Sequence, residues 1–356
     1  MGNPRLLTDI QSQPASLQAV LSHQTGAGSA AVLEAGRLIR KAGRVIITGM
    51  GASLFGSIPL EYLLCEQGID ASVLESGEML HYRRGMYRDT VIIMVSRSGE
   101  SVEIAKLLAQ VGDGATVIGV SNDPASMLAQ GADCSIHIGS LPDEMVAIQS
   151  YTGTLLALGL LGAAVTGEFE YLVAQAEEVI GRLGGYIEGL LASGDWNEFL
   201  SLSAPVHLLA RGPSYGSALE GALLFNETAK YPACGIAAAS FRHGPVEMVD
   251  GNFVGFVFAP AGQTRELNVS LASDLAYFGG RVCVVGPGPR TGGPRWCETI
   301  PVTAPLAPLV EIIPVQVAAL RLAQMRGLKV GEFRYTPQVT RDEARFSRPH
   351  EPVTAQ

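Results

Sequence analysis

Near-continuous apolar runs, each closed by a cluster of small polar residues, punctuate the first half of the chain. They are RVIITGMG (44–51), ASVLES (71–76), TVIIMVSRSG (90–99), ATVIGVSND (115–123) and CSIHIGS (134–140). Between them lie segments with apolar positions three and four apart, such as SIPLEYLLCEQ (57–67) and SVEIAKLLAQ (101–110). A strand that is apolar at every position is buried on both faces. Such strands alternating with helices predict an α/β fold, a parallel sheet covered on both sides.

The order then returns. VHLLARGPSY (206–215) repeats the strand, glycine turn, serine and helix of RVIITGMGAS (44–53), and FVGFVFAPAG (253–262) and RVCVVGPGP (281–289) echo the third and fourth strands. Residues 169–193 between the halves carry helical periodicity. The reading is two copies of one unit: a helical N-terminal segment (1–30), a first unit (31–167), a linking helix (168–195), a second unit (196–330) and a tail (331–356). The tail has charges and aromatics without periodicity, and its Phe333-Arg334-Tyr335 favours an ordered first part.

Composition narrows the classes of function. Of 356 residues 47% are hydrophobic and 17% charged, which suits a core-rich globular protein. A net charge of −9 argues against a nucleic-acid partner. The five cysteines (65, 134, 234, 283, 297) are scattered and outside metal-ligand spacing, so they read as buried thiols in a reducing compartment. The start shows no basic segment followed by an apolar core, and TLLALGLLGAAV (154–165) is too short to span a bilayer. A soluble cytoplasmic protein with no membrane partner is expected.

Two loops carry candidate chemistry, GMGASLFGS (49–57) and SRSGES (96–101), after the first and third strands. Ligands of open parallel sheets bind beyond the carboxyl ends of the strands. Backbone N–H groups at a helix start, with serine hydroxyls beside them, make a phosphate cradle. Ser98 and Ser101 could instead merely cap the following helix, but three hydroxyls, a glycine and a carboxylate together favour a ligand. In the second half, ALEGALLFNETAKYP (218–232) reads as an amphipathic helix with Glu220 and Glu227 on one face. His243, before Gly-Pro in SFRHGPVEMVD (240–250), belongs to an exposed loop. Taken singly, such a glutamate is more often solvated and such a histidine more often structural.

Taken together and in order, GMGAS, SRSGES, ALEGAL with its following glutamate, and FRHGP resemble the sugar isomerase (SIS) domain family over roughly residues 30–345. The resemblance is to its double-domain enzymes of amino-sugar phosphates: the isomerase half of glucosamine-6-phosphate synthase, related deaminases and fructosamine-6-phosphate deglycases. It implies two tandem domains, each a five-stranded parallel sheet in a flavodoxin-like three-layer sandwich. It implies a sugar phosphate held by Gly51, Ser53, Ser96, Arg97, Ser98 and Ser101, with neither cofactor nor metal. Glu227 would move a proton between C1 and C2, and His243 would open the ring or protonate the leaving group. In relatives that histidine comes from the neighbouring subunit, which implies a homodimer. Ser150 and Thr152, in a loop matching EMVAIQSYTGT (144–154), would contact the sugar, and the tail with Gln338 would lie over the site.

The chain also departs from that pattern. It starts MGNP, without the N-terminal cysteine of the synthase's amidotransferase domain, so a complete synthase is not expected. Leu224 and Gln338 stand where relatives carry lysines, the second of which contacts the sugar or forms a Schiff base with it. An amide cannot form a Schiff base. The expectation is therefore a deglycase- or deaminase-like cleavage through an enaminol, with Glu227 as base and His243 as acid. Its rivals are an aldose–ketose isomerase or glucosamine-6-phosphate deaminase, with Lys230 as substitute, and a non-catalytic sugar-phosphate sensor. A pure sensor would need only the serine loops.

Overall fold

The protein was analysed as a computed structural model, which describes residues 5–143, 145–193, 196–288, 293–302, 304–330, 333–335 and 339–344. Strands β1 (Val45–Gly49), β2 (Ala71–Glu75), β3 (Thr90–Val95), β4 (Ala115–Ser121) and β5 (Cys134–His137) form one sheet, in the order β2-β1-β3-β4-β5. Strands β6 (Val206–Ala210), β7 (Ala233–Ala237), β8 (Val254–Phe258), β9 (Arg281–Gly286) and β10 (Arg295–Glu298) form a second, in the order β10-β9-β8-β6-β7. Read from its other edge, the second sheet has the order of the first, and all pairings in both are parallel.

Every residue of β1, β3, β6 and β8 is buried, which is why these strands read as unbroken apolar runs. The pattern passes over β7 and β10 for the same reason. Both are edge strands: no residue of ACGIA is fully buried, and in RWCE only Cys297 is. The helix Tyr215–Thr228 also stops earlier than its apolar pattern, because Lys230 turns to φ +50° and Pro232 follows.

The halves share one core. A single apolar cluster contains both Ile47 of the first sheet and Leu208 of the second. The N-terminal helix Arg5–Thr25 packs on Gln149–Thr166 and Phe169–Ala192. Its Gln13 exchanges amide hydrogen bonds of 2.8 and 3.3 Å with Gln316 of the helix Ala307–Met325. That last helix is long and apolar enough to cross a membrane, but 83% of it is buried inside the fold. Where the halves meet, a Cβ on Gly216 would stand 2.3 Å from the carbonyl oxygen of Phe55, so only glycine lets the helix Tyr215–Thr228 approach that closely.

Candidate active site

In a 2-1-3-4-5 sheet the connections leave β1 and β3 toward opposite faces, opening a crevice at their carboxyl ends. A cavity of about 300 Å³ lies there, with Ser53 on the β1 side and Ser96, Arg97, Ser98 and Ser101 on the β3 side. Leu223 and Glu227 close it from the second half, and Phe333, Val339 and Thr340 of the tail close it from above.

The SRSGES loop is folded by its own hydroxyls. Ser96 Oγ accepts from the Gly99 N–H at 3.1 Å and lies 3.2 Å from Ser101 Oγ, while Ser98 Oγ accepts from the Glu100 N–H at 3.2 Å. Gly99 is required: its φ is +65°, and a Cβ would stand 2.2 Å from Ser126 Oγ. The Glu100 carboxylate accepts from the Met127 N–H at 2.7 Å, so it anchors the loop to the next helix. Ser101 is the residue preceding the helix Val102–Val111, yet its side chain makes no cap hydrogen bond. The capping role open to it in the sequence is not the one it takes. The Val102 N–H instead donates to Thr340 O of the tail at 3.1 Å.

Arg97 leads to a residue that the sequence reading missed. Its Nη1 lies 3.8 Å from Oδ2 of Asp143, whose side chain is fully buried. The Asp143 carboxylate accepts from the N–H groups of Ile148 (3.1 Å), Gln149 (2.6 Å) and Ser150 (3.2 Å), and from the Ser150 hydroxyl. It thereby caps the helix Gln149–Thr166 from outside. Burial pushes this carboxyl above the usual carboxylate range, against those hydrogen bonds and Arg97. Ser150 lines the cavity with its hydroxyl committed to Asp143. Thr152 is wholly buried away from the cavity, donating to Ile148 O at 3.2 Å, and Tyr151 and Thr154 line the wall instead.

Glu227 sits in the last turn of its helix, half-buried at the cavity. Burial pushes its carboxyl up to about 7, while Lys230 and Arg97 pull the other way. Lys230 Nζ donates to the Glu227 backbone oxygen. Two turns earlier, Glu220 is wholly buried with Oε2 unpartnered, and burial, then Glu227 and Asp143, hold its carboxyl well above the ordinary range. Behind it Glu311, also unremarked in the sequence, accepts from Ser217 (2.7 Å) and Ser214 (3.0 Å), and burial pushes it up to about 7.

His243 lies elsewhere. It is exposed on the loop after Ala238–Phe241, its N–H donates to Ser240 O at 3.0 Å, and it does not line the cavity of its own chain. Gln338 lies outside the described residues. The tail on either side of it is fastened: Phe333 packs under Lys230 Nζ, 5.6 Å from the ring centroid, and Glu343 pairs with Lys106 and His81 of the first half. Among the described residues no cluster of three or more His, Cys, Asp or Glu could hold a metal ion.

Two copies of a 2-1-3-4-5 parallel sheet, with a hydroxyl-rich loop at the switch point of the first, define a tandem α/β protein. The chain belongs to the SIS domain family, whose profile matches residues 38–164 and 202–287. It is 28% identical over 300 residues to the glutamine–fructose-6-phosphate aminotransferase (isomerizing) of Pyrococcus horikoshii, covering 82% of this chain and 50% of that one. The enzyme of that name from Zymomonas mobilis is 29% identical over 305 residues, covering 81% and 50%. The chain thus spans about half the length of these curated relatives. Its fold is that of the C-terminal domain of glucosamine-fructose-6-phosphate aminotransferase from Francisella tularensis (TM-score 0.80, 20% identity, 92% of this chain and 97% of that one). It is also that of the glucosamine-6-phosphate deaminase of Thermotoga maritima (TM-score 0.72, 19% identity, 94% and 99%).

Proposed function

We propose that this chain is an enzyme that cleaves a 6-phosphorylated amino-ketose, a ketosamine, by a deglycase-like route. The observation that carries the reading is Glu227, a carboxyl raised to about 7 in the same cavity as the serine cradle. A base for a proton beside a carbonyl works best with its own value near the operating pH. The phosphate would sit among Ser53, Ser96, Ser98 and Ser101, near the start of the helix Val102–Val111 and beside Arg97.

In this reading the Glu227 carboxylate removes a proton from C1 while His243 protonates the C2 oxygen, giving the 1,2-enaminol. The proton returns at C2, leaving a C1=N iminium. Water adds to C1 and the amine departs. The sum is ketosamine 6-phosphate plus water to aldose 6-phosphate plus amine, with no oxidant or reductant. Because the substrate brings its own nitrogen, no lysine Schiff base is needed, which suits Leu224 and Gln338. His243 would reach Glu227 from a second copy of the chain in a homodimer, in keeping with its exposure.

The relatives named above keep aldose–ketose isomerisation and glucosamine-6-phosphate deamination as the second reading. The test is product analysis by NMR with fructosyl-amino-acid 6-phosphates, glucosamine 6-phosphate and fructose 6-phosphate. Release of aldose 6-phosphate and free amino acid, abolished in Glu227→Gln, is expected. Turnover of glucosamine 6-phosphate or fructose 6-phosphate alone would establish the second reading. Tight binding without turnover would make the protein a sensor.

A further inference from the structure

We infer that a groove between the helices Ile58–Glu66 and Gln149–Thr166 is a second binding site, for a primary amine joined to an aromatic ring by a short carbon chain. Neither the serine loops nor Glu227 takes part in it. The groove has a volume of about 220 Å³. An apolar cavity of about 150 Å³ takes a benzene molecule, so this one has room for a ring and a short chain. Leu60, Leu63, Leu155 and Leu158 wall it from the first half, and Pro213 and Pro305 from the second.

Packing distances fix which end of the groove is which. A Cβ on Gly56, just before the first helix, would stand 3.5 Å from Thr154 Cγ2 and from the Tyr151 ring. A Cβ on Gly162, two turns further along the second helix, would stand 3.1 Å from Leu63 Cδ1. The helices therefore run side by side in the same direction and finish at the same end. Glu66 and Gln67 line the groove there from the first helix, and Thr166 and Glu168 from the second. The Thr166 hydroxyl donates to Glu168 Oε2 at 3.2 Å and holds that acid at the helix end. The opposite end, at Gly56 and Leu155, is apolar and lies against Tyr151 and Thr154 of the substrate cavity's wall.

Charge then selects the ligand. Of the described side chains lining the groove, the charged ones are Glu66 and Glu168, both acids and both exposed at its mouth. Thr303 and Ala304, which precede Pro305 in the chain, are uncharged. The helix ends add the negative poles of two dipoles. Arg40, which donates to the carbonyls of Ala164 and Val165, offsets part of one of them but does not line the groove. A cation is favoured at this end, and the hydrocarbon walls beyond it favour a ring over a hydrated metal ion.

The experiment titrates the full chain by calorimetry with 2-phenylethylamine, its neutral counterpart 2-phenylethanol, the anion 3-phenylpropionate, and ethylamine, which lacks the ring. 2-Phenylethylamine is expected to bind saturably, about tenfold to a hundredfold tighter than ethylamine because of the buried ring. It should bind at least about threefold tighter than 2-phenylethanol because of the two exposed acids, with the anion weaker still. In Glu66→Gln/Glu168→Gln the amine and the alcohol should bind alike. Gly159→Leu should abolish binding by filling the groove, where a Cβ meets nothing closer than 3.7 Å. A thermal melt shows whether that variant folds; if it does not, the double variant, changed only at exposed positions, carries the test. Absence of saturable binding to the wild type, including the case of a groove shut by a second copy of the chain, would overturn the site. Equal affinity of the wild type for amine and alcohol would overturn the choice of a cation. Unchanged binding in folded Gly159→Leu would put the amine elsewhere and overturn the inference as well.

Discussion

The carboxylate of Asp143 accepts both the hydroxyl and the amide of Ser150, seven residues further along, and so closes the start of the helix Gln149–Thr166. The same carboxylate faces Arg97 across 3.8 Å. One buried acid therefore sets two walls of the cavity, the start of a core helix and the cation beside the serine loop.

Asp143→Ala would leave the amides of Ile148, Gln149 and Ser150 without their acceptor, at a cost of about 1–3 kcal/mol in stability. Asp143→Asn keeps an acceptor oxygen but removes the charge facing Arg97. We expect the alanine variant to melt several degrees lower. The asparagine variant should lose less stability and show a raised KM for the phosphorylated substrate. Thermal melts beside steady-state kinetics check both. Equal stability losses with unchanged KM would show that Asp143 does nothing beyond capping.

As the proposed base, Glu227 would set the pH dependence of the reaction. A base must be ionised, so kcat/KM should rise with pH through an acidic limb near 7. A substrate phosphate also titrates, near pH about 6, so the limb alone does not identify the group. Lys230 lowers the value of Glu227, and its removal in Lys230→Met should move the limb to higher pH. A limb that stays in place would belong to the substrate or to another residue.

Much of this was legible in the sequence, for reasons that also mark where legibility ends. Strands β1, β3, β6 and β8 announce themselves because two-sided burial demands apolar residues at every position. The serine loops stand out because hydroxyls and glycine at the end of such a strand have few structural uses. β7 (ACGIA) and β10 (RWCE) stayed hidden because these mostly half-buried edge strands hold no apolar run, unlike the edge strands β2 and β5, whose sequences still show one. Asp143 looks like any loop acid, since its partners lie five to seven residues on and only the folded loop brings them back to it. Glu311 reads as one acid in an apolar helix, and nothing local tells that Ser214 and Ser217, nearly a hundred residues earlier, face it. Thr152 shares its segment with Ser150, but the helix turns it into the core.

Glu311 predicts a pH dependence of stability with a definite sign. Its value is raised from 4.5 to about 7 on folding, so the folded chain binds more protons than the unfolded one between those limits. Stability is then greatest below about 4.5, falls as pH rises toward 7 and is flat above, a loss of about 3 kcal/mol from this group. Glu220, shifted the same way, adds to the fall. Glu311→Gln should flatten the slope of denaturant-derived stability between pH 5 and 7 and match or exceed the wild type at pH 8. An unaltered slope would mean that water reaches Glu311 and keeps it ionised.

The proposed sharing of sites between subunits can be checked without a structure of the dimer. Glu227→Gln and His243→Asn should each abolish turnover in a pure preparation. If His243 acts on the Glu227 of a second copy, a mixed dimer of the two variants holds one site with both groups intact and one with neither. Random assembly makes about half of the dimers mixed, so coexpression should restore about a quarter of wild-type activity. If both groups acted within one chain, every site in the mixed dimer would lack one of them, and no activity would return. The recovered fraction thus tells the two arrangements apart. Purification through two different affinity tags, which isolates the mixed dimer, should raise it to about half.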